Sequence, residues 1–242
     1  MDLNPQLAQA LRNWLANDEL REAALLSAGY QGSAYLYAAD VAGKPVKLVI
    51  KRAAQGFFSG WFHHLMLRRE ANVYVQMADV AGVPNSLGML DKTWLLLEYI
   101  DGESLRMARY TLGNADAFYD RLLQVLHDFH AVGVGHGDLK RKDNVLVTRE
   151  EHPYVIDFGT AVLRDGGLID RLMFRLVRRF DYNAWVKVKY RNDYDAISAQ
   201  DRQWYRPTIV ENGFRVLRRL WRTVTFRKAR KRRRRQEDDN KN

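Results

Sequence analysis

The chain contains 242 residues with a formal net charge of +10 and no cysteine. This length accommodates one sizeable domain or two small lobes around a shared cleft, and the lack of cysteine excludes disulfide bonds, thiolate catalysis and thiolate metal sites. The sequence has neither a basic segment followed by an apolar core at its start nor an apolar run long enough to span a membrane, so we expect a cytoplasmic protein.

The first part of the chain predicts a helix followed by a small sheet that contains one further helix. Apolar residues recur at helical spacing after the pair Asn4-Pro5, which is typical of a helix start. Two β-rich runs flank a glycine-containing turn at Val41 to Lys44 and predict an antiparallel hairpin. The predicted elements are, in order, a helix over 3–26, the hairpin over 35–53, a helix over 61–77, and strands over 86–90 and 93–98.

The second part predicts mainly helices around one polar loop. Residues 115–132 form an amphipathic pattern that leads directly into the loop HGDLKRKDNVLV. Short strands are predicted over 145–148 and 154–156, and the tripeptide DFG follows them. From Leu168 onward a helical pattern rich in arginine dominates, with a break near Arg206-Pro207.

The polar loop and the DFG tripeptide carry the side chains that phosphoryl transfer requires. This chemistry needs a carboxylate that orients or deprotonates the acceptor hydroxyl, oxygen ligands that hold Mg²⁺ on the nucleotide phosphates, and a cation on those phosphates. Asp138 offers the carboxylate, and Asn144 and Asp157 offer the ligands. Lys51, at the end of KLVIK, offers the cation.

In this order the motifs resemble those of the protein-kinase-like superfamily, in which a strand lysine, a helix glutamate, an HxD loop with a downstream asparagine and a DFG aspartate form the ATP site. The resemblance covers residues 25–159 and ends there. It implies ATP and Mg²⁺ as cofactors and an ion pair between Lys51 and Glu70. It also implies a bilobal α+β fold, with a small antiparallel-sheet lobe over 1–98, a mainly helical lobe over 99–226 and a basic tail over 227–242.

The same resemblance implies further contacts to the nucleotide. The segment LLLEYIDGESL is similar to the hinge between kinase lobes, where backbone groups of Glu98, Tyr99 and Ile100 would hold adenine. The segment AGYQGSAY is similar to the nucleotide loop, although it keeps only Gly29 and Gly32 of the full glycine pattern. Backbone N–H groups of this loop would cradle the phosphates.

The catalytic loop departs from the usual family pattern. Asn144 lies six residues after Asp138, where the family usually has five, and Asp143 occupies the usual count. Because NVLV repeats the family's asparagine-then-strand arrangement, Asn144 is the predicted metal ligand and Asp143 is the alternative. Gly137 replaces the arginine that pairs with a phosphorylated activation segment in regulated protein kinases, and no APE motif follows DFG. Lys140 is predicted to neutralise charge on the transferred phosphoryl group.

These departures favour a small kinase of a non-protein acceptor. HGD loops are similar to those of aminoglycoside phosphotransferases, RIO-type kinases and bacterial lipopolysaccharide core kinases, and the last are the most similar in plan. We therefore expect a sugar hydroxyl of lipopolysaccharide core as the acceptor. The alternatives are an atypical Ser/Thr protein kinase, which Lys140 favours, and a pseudokinase that acts only as a binding module.

The C-terminal third carries the positive charge. Residues 171–242 contain 22 Lys and Arg against 8 Asp and Glu, a net charge of +14. Over 214–224 apolar residues gather on one helical face with arginines on its flanks, which suits an anionic membrane surface, although core packing would give the same pattern. We expect peripheral binding to the inner membrane through this region, no nucleic-acid partner, and a disordered end. The oligomeric state is left open.

Overall fold

The computed structural model describes residues 3–29, 32–54 and 60–206. The chain divides into two compact units, Met1–Ser198 and Ala199–Asn242. The described part of the second unit contains a short 3₁₀ helix, Asp201–Trp204. The predicted amphipathic helix over 214–224 and the predicted tail over 227–242 lie outside the described residues. All elements below belong to the first unit.

The N-terminal segment is two helices and the start of a strand, so the prediction of one helix over 3–26 was wrong. Helix α1, Pro5–Leu15, begins at Asn4, whose side chain accepts a hydrogen bond from the Gln6 N–H. Helix α2, Asp18–Ala23, begins at Asn17, whose side chain accepts one from the Leu20 N–H. Because an asparagine cap satisfies the free N–H groups of a new helix, Asn17 separates the two helices. Strand β1, Leu25–Gly29, follows at once.

The small lobe is a five-stranded antiparallel sheet with one helix. Its spatial order is β1-β2-β3-β5-β4, and the turn between Val41 and Lys44 closes the predicted hairpin. Leu11 and Leu15 of α1 pack on this sheet against buried Tyr37 and Ile50. The remaining elements are β2 Gly32–Val41, β3 Lys44–Ala53, α3 Gly60–Gln76, β4 Ser86–Leu90 and β5 Trp94–Glu98.

The second lobe contains two long helices and short strands around the catalytic loop. Helix α5 buries the apolar face that its sequence predicts, including Phe118, Leu122 and Phe129. The strands form one three-stranded sheet, β6-β8-β9, and one two-stranded sheet, β10-β7. The elements are β6 Gly102–Ser104, α4 Leu105–Ala108, α5 Ala115–Ala131, β7 Val134–Gly135, β8 Val145–Thr148, β9 Pro153–Val155, β10 Val162–Leu163 and α6 Leu168–Lys189.

This architecture confirms the predicted bilobal α+β fold of the kinase type. An antiparallel sheet carrying α3 precedes a mainly helical lobe, and the segment after β5 joins the two. Within the ranges described above, no helix combines the length and the apolar character needed to cross a bilayer. The predicted domain boundaries at 98 and 226 stay predictions.

Candidate active site

A lysine held between two carboxylates forms the centre of the site. The Nζ atom of Lys51, on β3, lies 2.5 Å from Oε1 of Glu70 on α3 and 2.9 Å from Oδ1 of Asp157, which follows β9. The Lys51 side chain is 19% exposed and that of Glu70 only 6%, so the Lys51–Glu70 pair is shielded from water. The structure thus brings together three of the residues that the sequence selected, from separate parts of the chain.

The electrostatics of this cluster favour the charged forms of Lys51 and Asp157. Burial alone would lower the pKa of Lys51, but the carboxylates of Glu70 and Asp157 raise it above its ordinary value. Burial raises the pKa of Glu70, and Lys51 opposes that rise. Burial would also raise the pKa of Asp157, but Lys51 lowers it below its ordinary value. At neutral pH Lys51 is therefore a cation and Asp157 an anion, as nucleotide and metal binding require.

Hydrogen bonds between the His136 ring and backbone groups fix the conformation of the catalytic loop. His136 is fully buried, its Nδ1 accepts a bond from the Asp138 N–H at 3.1 Å, and its Nε2 lies 3.0 Å from the Ile156 carbonyl oxygen. Because Nδ1 accepts, Nε2 is the donor. His136 therefore positions the loop. The Asp138 carboxylate remains partly exposed, at 19%.

Asp181 on α6 fastens this loop, and sequence reasoning missed it. Its carboxylate is 1% exposed and accepts hydrogen bonds from the backbone N–H groups of His136, at 2.8 Å, and Gly137, at 2.9 Å. His130 Nε2 donates a third bond at 3.0 Å, and burial lowers the pKa of this histidine, which keeps it neutral. Asp181 therefore fixes the backbone of the two residues that precede Asp138. The signal in the sequence was an aspartate on the apolar side of a helix.

Aromatic rings connect the two lobes behind the site. The ring centroid of Phe158, in the DFG tripeptide, lies 5.4 Å from that of Tyr74 on α3 and 4.7 Å from that of His136. Phe129 on α5 packs edge-on against the same ring at 5.8 Å. Since these rings are fully or almost fully buried, they couple the position of α3, which carries Glu70, to that of the catalytic loop.

The geometry separates the two candidate metal ligands in the loop. Asp143 forms a bidentate pair with Arg106, with nitrogen–oxygen distances of 2.6 to 3.0 Å, at the protein surface. Asn144 is buried, and its Nδ2 donates to the Asp138 carbonyl at 3.1 Å. That bond leaves the amide oxygen of Asn144 available as a ligand. The arrangement is compatible with Asn144 as the ligand, and the choice of Asn144 over Asp143 stays a prediction.

The donor set fits Mg²⁺ bound to nucleotide phosphates. Mg²⁺ in such sites takes one or two protein oxygen ligands and completes its shell with phosphates and water. Asp157, whose side chain is 41% exposed, and Asn144 would supply these oxygens. Within the described ranges, no cluster of three or more His, Asp and Glu side chains that could hold a metal occurs.

We expect Asn144→Ala to raise the Mg²⁺ concentration needed for half-maximal activity by at least about tenfold, because it removes a metal ligand. Asp143→Ala removes only an exposed ion pair and should change that concentration by less than about twofold. A Mg²⁺ titration of phosphotransfer by both variants measures this, with Asn144→Asp as the variant that retains an oxygen. Equal effects of the two alanine substitutions would contradict the assignment.

The Lys140 ammonium lies near the Asp138 carboxylate, and its side chain is largely exposed. Its Nζ is 3.8 Å from Asp138 Oδ1, and its side chain is 80% exposed. Arg141 approaches the other carboxylate oxygen at 3.9 Å. Both cations stand where they would meet a phosphoryl group arriving at Asp138, so the predicted role of Lys140 stays compatible with its position.

The predicted hinge residues fall into two groups. The Glu98 side chain makes structural contacts, whereas Tyr99 and Ile100 lie beyond the end of the strand. The Glu98 carboxylate accepts two hydrogen bonds from Asn85, at 3.0 Å from its backbone nitrogen and 2.8 Å from its side-chain nitrogen. The side chain of Glu98 therefore fastens the loop before β4. Strand β5 ends at Glu98, so Tyr99 and Ile100 lie outside the sheet ladder and their backbone groups are available for adenine.

The predicted nucleotide loop lies between the paired strands β1 and β2. Gly29 pairs with Gly32, and residues 30–31 lie outside the described ranges. Gly32 has a φ of 154°, and a Cβ there would stand 2.0 Å from the Arg52 carbonyl oxygen. Only glycine fits at this close approach of β2 to β3. Gly32 thus has a structural reason beyond the phosphate contact that the sequence predicted.

Comparison with known proteins agrees with this geometry. The RIO domain family matches residues 62–179. The chain is 27% identical over 140 residues to the serine/threonine-protein kinase PknH of Mycobacterium bovis, which covers 55% of this chain and 23% of that kinase. It is 31% identical over 113 residues to CBL-interacting protein kinase 16 of Oryza sativa subsp. japonica, which covers 43% of this chain and 25% of that kinase. The chain spans about a quarter of the length of these curated relatives.

The fold, the site and these similarities support the protein-kinase-like superfamily, as the sequence predicted. They also support kinase activity with ATP and Mg²⁺. The match to the RIO domain runs 20 residues past Gly159, so the expectation that the resemblance ends there was wrong. The similarity is to RIO and protein kinases; none of the reported matches singles out the lipopolysaccharide core kinases.

Proposed function

We propose that this protein is an atypical protein-kinase-like phosphotransferase that moves the γ-phosphoryl group of ATP to an alcohol group. The observation that carries the proposal is the buried Lys51, held 2.5 Å from Glu70 and 2.9 Å from Asp157. Burial alone would disfavour the charge of this lysine, whereas the two carboxylates keep it fixed and charged, as a phosphate-binding lysine must be.

Each residue then has a physical task in the reaction. Lys51 would bind the nucleotide phosphates, and Asn144 and Asp157 would hold Mg²⁺, which when bound neutralises charge on those phosphates. Asp138 would accept a hydrogen bond, and finally the proton, from the attacking hydroxyl. Lys140 would neutralise charge on the phosphoryl group during transfer. The bonds from Asp181 to the loop backbone keep the Asp138 carboxylate at a fixed place throughout.

The similarities favour a Ser or Thr hydroxyl of a protein as the acceptor. The curated relatives named above are protein kinases, the RIO match covers the whole catalytic loop, and Lys140 stands where Ser/Thr kinases carry a lysine. We propose this acceptor ahead of the sugar that the sequence suggested. The protein would use it without a phosphorylated activation segment, because Gly137 occupies the position of the arginine that reads one.

One observation favours the second candidate, a sugar hydroxyl of lipopolysaccharide core. Only residues 160–167 separate the DFG tripeptide from α6, and they include the short strand β10. So short a connection offers little backbone for docking an extended peptide. The basic C-terminal third would hold such an enzyme at the cytoplasmic face of the inner membrane.

Incubation of the purified protein with γ-labelled ATP and Mg²⁺ tests both candidates. We expect label in protein acceptors, in extracted core lipopolysaccharide, or in both, and the distribution identifies the acceptor class. Asp157→Ala should reduce transfer by at least about 10²-fold because it removes the metal ligand, whereas Asp165→Ala, an exposed aspartate of the same segment, should not. Equal transfer by wild type and Asp157→Ala would refute the phosphotransferase.

A further inference from the structure

Helix α6 exposes a row of large apolar side chains. Leu168 is 83% exposed and Leu172 65%, and four more apolar residues of the same helix are between 38% and 77% exposed. A soluble surface rarely gathers so many apolar side chains on one helix. We call this set the α6 apolar face; its members are Leu168, Ile169, Leu172, Met173, Leu176 and Phe180.

The α6 apolar face is distinct from the side of the helix that packs in the core. At 100° per residue its members occupy an arc of about 140°, whereas Phe174, Val177 and Asp181 lie outside that arc and are buried. The buried side contacts the catalytic loop, since Asp181 binds the His136 and Gly137 N–H groups. One side of α6 therefore packs in the core, and a second apolar side of the same helix is exposed.

Positive charge borders this face. Arg171 and Arg175 are exposed and lie beyond one edge of the arc, and Arg179 falls within it. The acidic residue of the first turn, Asp170, lies outside the arc. An apolar strip with arginines at one edge and within it, and with no carboxylate of α6 inside the arc, matches the chemistry of an anionic membrane surface, where apolar side chains enter the acyl boundary and cations meet phosphate headgroups.

We propose that the α6 apolar face docks on an anionic phospholipid bilayer. Charge complementarity selects this occupant over an apolar protein groove, because the border is basic and α6 itself carries six Lys and Arg against two Asp. The face consists of Leu, Ile, Met and Phe side chains, which enter the acyl boundary without requiring a complementary shape.

Docking through this face would set the position of the active site relative to the membrane. The catalytic loop contacts the opposite part of the same helix, so it lies about one helix diameter, on the order of 10 Å, from the bilayer boundary. An acceptor hydroxyl carried by a lipid or by a membrane protein would reach Asp138 at that height. This last step rests on the proposed function, whereas the docking itself does not.

Sedimentation of the full chain with vesicles of phosphatidylcholine and phosphatidylglycerol tests the proposal. Leu172→Glu/Leu176→Glu should weaken binding by at least about tenfold, because it places charge in the acyl boundary. Val75→Glu, an equally drastic change at a 67% exposed site on α3, should leave binding within about twofold. Arg171→Gln/Arg175→Gln should weaken binding by about fivefold per arginine, and only on vesicles that contain phosphatidylglycerol.

A second pair, Leu168→Gln/Ile169→Gln, guards against misfolding, because both side chains are more than three-quarters exposed and leave the core untouched. ATP binding by the same variants is measured in parallel and should be unchanged, so a failure of membrane docking is distinguishable from a failure of the proposed function. Wild-type vesicle binding by both apolar pairs would overturn the proposal. The proposal would also be overturned if light scattering showed that the wild-type chain self-associates and that the apolar pairs lose self-association but still bind vesicles. That result would assign the face to a second copy of the chain.

Discussion

Asp138→Asn is expected to lower kcat by about 10²- to 10⁴-fold while ATP affinity stays within about twofold. The amide cannot accept a proton from the acceptor hydroxyl, and it carries no charge. The loop itself should persist, because the bonds that shape it use the backbone of Asp138: its N–H donates to His136 Nδ1 and its carbonyl accepts from Asn144 Nδ2. Single-turnover transfer and nucleotide binding measure the two quantities separately.

The matched control is Asp143→Asn, in the same loop. It removes the ion pair with Arg106, whose partners are 58% and 41% exposed, and such exposed pairs contribute less than about 1 kcal/mol. We expect its kcat to stay within about threefold of wild type. If both variants lost activity equally, the loop would be failing as a structure, and the assignment of Asp138 as the catalytic carboxylate would fall.

Asp181→Asn is expected to lower the free energy of unfolding by about 2–4 kcal/mol and to reduce kcat of the folded protein by at least about tenfold. The carboxylate accepts at both oxygens: Oδ1 from the Gly137 N–H, and Oδ2 from the His136 N–H and His130 Nε2. An amide offers one oxygen and one NH₂ group, so at least one buried N–H would face another donor. Urea denaturation and steady-state kinetics measure the two effects.

The kinetic pattern distinguishes a positioning residue from a merely structural one. Among the described hydrogen bonds, Asp181 accepts from the loop backbone and His130, so its loss should lower kcat and leave the affinity for ATP nearly unchanged. Asp120→Asn, on the neighbouring helix α5, is the matched control, since that carboxylate is 69% exposed and pairs only with Lys189 among the described contacts. A destabilised Asp181 variant with wild-type kcat would contradict the positioning role.

The sequence predicted the residues that lie in short motifs and missed those defined only by distant contacts. Lys51 and Asp157 were selected from the motifs KLVIK and DFG, and Glu70 from its place on the helix of the small sheet. The structure brings Lys51 within hydrogen-bond distance of both carboxylates. Asp181 was missed because its partners His136 and Gly137 lie more than 40 residues earlier in the chain. An aspartate on an apolar helical side signals a buried role, but not which loop it serves.

Hydrophobic periodicity could not predict the short strands or the division of the N-terminal segment into two helices, for a related reason. Strands β7 and β10 have two residues each, which is less than one repeat of any alternating pattern. The helical spacing from Leu3 onward continued past Asn17, although that residue caps a new helix, because spacing alone does not register a change of axis. The choice of acceptor was the weakest inference, since it rested on overall resemblance and not on a contacting side chain.

The pre-formed pair between Lys51 and Glu70 has a consequence for control. In many kinases an off state is one in which this contact is broken, and a phosphorylated loop restores it. Here the Lys51–Glu70 contact is formed, and the connection from DFG to α6 is only residues 160–167 long. A kinase of this kind would not need loop phosphorylation to form the contact, so its output would follow encounter with its acceptor. Confinement of enzyme and acceptor to one surface raises their effective concentration and would then control the rate of phosphotransfer.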